Sequence, residues 1–113
     1  MAIQTAAEKN SLATKYAADA LYGALFTTAP GATPGTEVTG GSPAYARKPL
    51  TWGAPSNGVI TASATFDVPA CTVVGTGVYS AATAGNYLDG NTVASVTFST
   101  QDTVTVTFTL TIS

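Results

Sequence analysis

A chain of 113 residues is the size of one domain, and its 45% hydrophobic content excludes a disordered polymer. Its charged fraction of 9% lies far below the roughly 25% of an average soluble domain. The formal charge of −2, with Lys9, Lys15, Arg47 and Lys48 as the only cations, offers no basic stripe for a phosphate backbone, so no nucleic-acid partner is expected.

From Ile3 to about Tyr22 the chain is rich in alanine and free of proline and internal glycine, which predicts one amphipathic helix. Glu8, Lys15 and Asp19 fall on one stripe, and Ala13, Ala17, Ala20, Leu21 and Ala24 on the other. That small apolar face buries little area, so the helix needs a surface to dock on. Tyr22 to Thr28 reads as a short strand, ended by Ala29-Pro30-Gly31 and Pro34-Gly35. Gly31 to Pro43 is a long loop whose single charge is Glu37, a length associated with function or with contact along a neighbouring surface. Ala44 to Trp52 is extended, and Pro49 restricts it to an edge or a bulge.

Asn57-Gly58 is a tight-turn pair leading into the strand Val59 to Val68, where Ile60, Ala62, Ala64, Phe66 and Val68 share one face. Pro69-Ala70 breaks it, and Cys71 to Tyr79 is extended again, with Gly75 and Gly77 marking a bulge or a close backbone approach. Ser80 to Asn91 reads as a loop containing Gly85-Asn86 and Asp89-Gly90. Thr92 to Thr100 is expected to turn Ala94, Val96 and Phe98 inward and to pair as an antiparallel hairpin with Thr103 to Ile112. That last segment alternates strictly, threonine on one face and Val104, Val106, Phe108, Leu110 and Ile112 on the other. The pattern predicts a mainly β single domain: an N-terminal α-helix over 1–23, then an antiparallel β-sandwich, Ig-like or jelly-roll-like, over 24–113 with a long loop at 29–43.

Little here can do covalent chemistry. The chain has no histidine, so Cys71 lacks a base partner and reads as a small buried residue, and no serine-hydrolase or phosphate-loop motif is present. Asp67, Asp89 and Asp102 each sit alone beside a turn rather than in a ligand-spaced cluster. No enzyme activity, metal or cofactor is expected. No apolar run is long enough to span a membrane and no signal peptide is evident, so manufacture in the cytosol and no membrane partner are expected. Scarce charge points either to a surface covered by partner chains or to a domain that tolerates neutrality. Tyr45, Arg47, Lys48 and Trp52 form the densest grouping of residue types that anchor interfaces, and Glu37 joins them. The competing reading makes Trp52 core and the two cations guards of an edge strand. As an interface, this set predicts that replacing Arg47 and Trp52 breaks assembly and leaves the fold intact.

Several segments in order carry a resemblance: Thr28-Ala-Pro-Gly31, Glu37-Val-Thr-Gly-Gly41, Ala44-Tyr-Ala-Arg-Lys-Pro-Leu-Thr-Trp52, Thr65-Phe-Asp-Val-Pro-Ala70 and Gly77-Val-Tyr-Ser-Ala-Ala-Thr-Ala-Gly-Asn-Tyr-Leu88. Over Thr28 to Gly90 the chain resembles small virion proteins of tailed phages that infect actinobacteria, variously labelled tail fibre, minor tail or head decoration proteins. It departs from that pattern in lacking a histidine near Phe26 to Thr28 and in having Cys71 where glycine is common. The resemblance implies a non-enzymatic structural protein. The leading expectation is a decoration protein on the capsid exterior, binding the major capsid protein and itself as a homo-oligomer such as a trimer. The helix, the Gly31 to Pro43 loop and the threonine face would then be the surfaces reaching neighbours. The alternatives are a minor tail or tail-fibre component, and a host-surface carbohydrate-binding adhesin using Trp52, Tyr79 and Tyr87 as stacking platforms.

Overall fold

The computed structural model describes residues 3–112, which form α1 (Ala6–Asp19), β1 (Tyr22–Phe26), β2 (Lys48–Pro49), β3 (Val59–Val68), β4 (Cys71–Tyr79), β5 (Tyr87–Phe98) and β6 (Asp102–Thr111). Helix α1 starts where Thr5, in extended conformation, caps it by accepting a hydrogen bond from the Glu8 N–H at 3.3 Å. It stops at Asp19, shorter than its alanine content predicts. Leu21 donates its N–H to the Tyr79 carbonyl and Ala24 lies in β1, so neither is on the helix face. The ladder between β1 and β4 claims these residues, and propensity yields to tertiary pairing. Ala13 and Ala20 are buried, as expected of the small apolar face, while Leu21 is exposed.

The strands form two antiparallel sheets, a four-stranded one in the order β2-β1-β4-β5 and a two-stranded one of β3 and β6. Strands β3 and β4 have the bounds that their alternation predicts, and a register shift between Val73 and Gly75 marks the bulge. Asn57 and Gly58 both have positive φ, as a primed hairpin turn requires. Pro49 stands on the edge strand β2. Three expectations need correction. The loop after β4 ends at Asn86, because Tyr87 to Asn91 extend β5 along β4. Strands β5 and β6 do not form a hairpin: β5 pairs with β4, and β6 pairs with β3 from Val59↔Thr111 to Val68↔Asp102. Ala94 and Val96 are exposed rather than inward-buried. An unbroken ten-residue register with matched faces gives β6 a better partner in β3 than β5 offers.

The chain therefore crosses between sheets twice at one end, at Pro69-Ala70 and again at 99–101, and the sheets stack as a sandwich. Leu25, Val73 and Val78 of one sheet and Ala62, Ala64, Phe66, Val68 and Phe108 of the other share one core. The opposite face of the four-stranded sheet carries a second cluster of Ala24, Phe26 and Tyr79 with Tyr87 packed against it. The loop after β1 covers that side: the Tyr87 hydroxyl donates to the Gly31 carbonyl, and a Cβ on Gly75 or Gly90 would run into Pro30. Phe66, fully buried and in ring contact with Tyr45 and Phe108, is the centre of the core. Phe66→Ala should cost about 3–5 kcal/mol, read as a lower midpoint in urea unfolding; a loss below about 1 kcal/mol would place the centre of the core elsewhere.

Candidate functional site

Strand β1 pairs with β2 only at Tyr22 and Gly23, so beyond Gly23 its outer edge needs other partners. The long loop supplies them. Val38 donates its N–H to the Leu25 carbonyl, and the Tyr45 hydroxyl accepts from the Leu25 N–H at 3.0 Å. The same hydroxyl donates to Glu37 Oε2 at 2.8 Å. Arg47 grips the Glu37 carboxylate through both Nε and Nη2, at 3.0 and 2.9 Å. Its Nη1 donates to the carbonyls of Ala81 and Ala84, and its guanidinium lies 3.5 Å over the Tyr79 ring. One planar cation thus ties together the loop before β2 and the loop after β4, using the fork geometry and aromatic stacking that distinguish arginine from lysine. Burial opposes its charge, but hydrogen bonding to Glu37 and the Glu37 charge outweigh it and shift its pKa upward.

Of the five residues expected at an interface, the structure brings Glu37, Tyr45 and Arg47 into this cluster. It gives the other two separate internal partners. Lys48 faces Asp67 of β3 at 3.7 Å, and Trp52 donates its indole N–H to the Ala20 carbonyl at 2.8 Å while meeting the Tyr16 ring edge-on. The aromatics considered as sugar platforms are also engaged, since Tyr79 is buried under Arg47 and contacts Phe26 and Tyr87. The helix and the long loop fold onto their own domain: Asn10 Oδ1 accepts from the Gly58 N–H, and Glu37 bridges to Phe26. Arg47 and Trp52 thus both hold internal contacts, so replacing them is expected to loosen the fold as well as any interface. Cys71 is half-buried and packed against the core, and burial raises its thiol pKa, which keeps it a protonated, unreactive group at neutral pH. Among the described residues no group of three His, Cys, Asp or Glu is placed to hold a metal ion, and no helix is long and apolar enough to cross a membrane.

A second surface feature lies on the other side of the sandwich, where sequence periodicity could not place it. Strand β6 sits over β1, for a Cβ on Gly23 would meet the Phe108 ring at 2.8 Å. On that flank the chain closes the gap between the layers, with Leu50 N–H donating to Leu21 and Gly53 N–H to Thr61. On the opposite flank β5 overhangs. Val96 stands across from buried Val73 in the ladder, so it shares the core-facing side, yet it is 47% exposed. Between β5 and β6 runs a cleft of about 290 Å³, lined by Thr76 and Val78 of β4, Asp89, Asn91 and Val93 of β5, and Val106, Phe108 and Leu110 of β6. Tyr16 and Trp52 also line it. Apolar residues bordered by unpaired strand edges suit protein contact better than catalysis.

Two outcomes follow from the Arg47 cluster. Arg47→Met strands a half-buried carboxylate and frees two loops, and should cost about 3–5 kcal/mol in urea unfolding; an unchanged midpoint would show the cluster to be ornamental. The tyrosines set the alkaline limit. Burial, with smaller effects from Asp89 and Tyr87, pushes Tyr16 from 10.0 up to about 12, and burial above all pushes Tyr45 higher still, against the opposing Leu25 N–H. Burial raises Tyr79 and Tyr87 as well. Phenols raised in the folded state contribute their full stability below the unfolded value near 10, and lose it as the pH climbs from there through the folded value. Stability should fall above pH 10, and Tyr45→Phe, weaker at neutral pH for its lost hydrogen bonds, should lose less between neutral and alkaline pH. Equal alkaline losses in both proteins would contradict this.

A family model described as "Podophage GP4 fiber I protein gp80" matches residues 7–113. No curated protein and no solved structure matches. The match supports the virion-structural part of the resemblance drawn from the sequence, and does not extend to an actinobacterial host or to the decoration label. Because it runs from the second residue of α1 through β6, the chain belongs to the podophage GP4 fiber I protein gp80 family, a family of phage virion structural proteins.

Proposed function

We infer that this protein is a fibre component of a phage tail that acts by protein–protein contact and carries out no reaction. The observation that carries this reading is the extent of the family match, 107 residues from 7 to 113, so that what is shared with a fibre protein is the whole folded domain rather than an attached module. Scarce surface charge does not separate the capsid-decoration reading from this one, since a fibre subunit has equal use for it. An adhesin reading is less favoured because the Tyr79 ring is buried under Arg47. The non-enzymatic reading is supported by the chemistry at hand: among the described residues the buried core holds no polar or charged side chain, and the cleft carries Asp89 as its single ionisable carboxylate. Location on the particle separates the readings. Gold-labelled antibody against the protein, viewed on intact virions, should decorate the tail; label spread evenly over the head would overturn the fibre assignment in favour of capsid decoration.

A further inference from the structure

The register between β3 and β6 fixes which way the main chain of β6 points. The Thr61 carbonyl accepts from the Gly53 N–H on the outer side of β3, so its ladder partner Thr109 turns its own N–H and carbonyl away from β3. Ile112, of the other parity, donates its N–H to the Gly58 carbonyl on the β3 side. Alternation then turns Thr103, Thr105 and Thr107 outward as well, along an edge that no strand covers. Asp102 Oδ1 takes the Thr103 N–H, and among the described residues the N–H and carbonyl groups of Thr105, Thr107 and Thr109 have no partner. Strand β6 contains no lysine, arginine or proline to keep this edge from pairing.

Val73 and Val78 of β4 are buried, whereas Asp89, Asn91, Val93 and Val96 of β5 are exposed, so the second layer reaches over β4 and stops short of β5. That leaves room beside β6 for one more strand. The side chains facing this space change along its length. Asp89 pairs with Val78 and Val78 with Gly23, which lies under Phe108, so Asp89 belongs to the end where Leu110, Tyr16 and Trp52 line the cleft. Val93 and Val96 lie toward the other end. Asp89 Oδ1 accepts from the Gly90 N–H at 2.8 Å, and the ion pairs of the described residues, Lys15 with Asp19, Arg47 with Glu37 and Lys48 with Asp67, leave Asp89 without a cation. An unpaired carboxylate that shares a cleft with two aromatic rings favours a cationic group, through charge-assisted hydrogen bonds and the ring faces.

We propose that an extended segment of a different protein docks here as a third strand beside β6, pairing with the outward groups of Thr105, Thr107 and Thr109 and turning an arginine or lysine toward Asp89. The ladders of this fold are antiparallel, and the same pairing starts the segment beside Leu110, with its cation near the N-terminal end. The inward side chains that follow are apolar, to meet Val93 and Val96 of β5 and Val104 and Val106 of β6. A second copy does not supply such a strand. Arg47 and Lys48 are held by Glu37 and Asp67 of their own fold, and Lys9 and Lys15 sit on α1, so no strand of this chain offers a free cation among alternating apolar residues. The proposal deepens the reading of a protein that acts by contact; it is read in solution and the fibre assignment on particles, so either can fail alone.

The probe is an end-blocked seven-residue peptide in which threonine alternates with arginine, valine and valine in that order, titrated into the full chain. Trp52, the single tryptophan, should report saturable binding by its fluorescence, and the amides of Thr105, Thr107 and Thr109 should slow in hydrogen exchange. Glutamate in place of the peptide's arginine should weaken binding roughly ten- to a hundredfold. Asp89→Asn, which keeps an acceptor for the Gly90 N–H and so leaves the fold in place, should weaken binding of the arginine peptide to a similar degree. No saturable response, equal binding of the two peptides, unchanged affinity in Asp89→Asn, or protection confined to other amides would each overturn the proposal. Protection of the same three amides in the peptide-free chain that fades on dilution would overturn it too, by giving the edge to a second copy.

Discussion

The rest of this structure depends on the ten-residue ladder between β3 and β6. Each strand alternates small or apolar with polar residues, and the register sets like against like: Ala62 opposite Phe108, Ala64 opposite Val106, Ser63 opposite Thr107 and Thr65 opposite Thr105. After that ribbon the two-residue link at Pro69-Ala70 carries β4 into the other layer, where it pairs with β1. Strand β5 follows β4, and the chain returns through 99–101. Because β6 closes on β3 rather than on β5, the outer edge of β5 is left without a strand partner.

Close packing on both faces of the four-stranded sheet rests on the pairing of aromatic rings with glycines. Phe108 lies on Gly23 across the core, and on the other face of the same sheet Phe26 lies on Gly77, where a Cβ would come within 2.5 Å of its ring. These contacts let a domain with few large side chains reach interior packing, and they explain why β1, only five residues long, is buried along most of its length on both faces. The long loop is the third participant. By covering the outer face through Pro30 and Gly31, and by sending Tyr45 and Arg47 to the open edge of β1 and to the loop after β4, it does for one flank what strands do elsewhere.

How much of this could be read in the sequence follows from the range of each interaction. The bounds of β3 and β4 were legible because alternation and the Pro69-Ala70 break are local signals. The partner of β6 was not, since Thr103 to Thr111 would match any alternating strand and its choice of β3 over β5 is a contact across more than thirty residues. Glu37, Tyr45 and Arg47 were legible as residue types that form specific contacts, but their direction was not. Their cluster needs Tyr79, Ala81 and Ala84, which lie more than thirty residues beyond Arg47 and whose sequence offers no hint of a bound guanidinium. The cleft was invisible for the same reason: Val93 and Val96 look like core residues along the chain, and only the stacking of the sheets leaves them uncovered.

The scarcity of charge also takes a different meaning in three dimensions. The threonine row invited the reading that it is covered by a neighbour, yet its hydroxyls satisfy one another, Ser63 with Thr107 at 3.2 Å, Thr65 with Thr105 at 2.9 Å and, on the other sheet, Thr72 with Thr97 at 3.1 Å. Such a surface combines β-branched strand preference with wetting by water, and needs neither charge nor a partner to be stable. The overhanging valines have no such remedy, because they carry no polar group and Val93 and Val96 stay 36% and 47% exposed. The apolar surface left open therefore lies on the small flank between β5 and β6, while the broad neutral face is satisfied by its own hydroxyls.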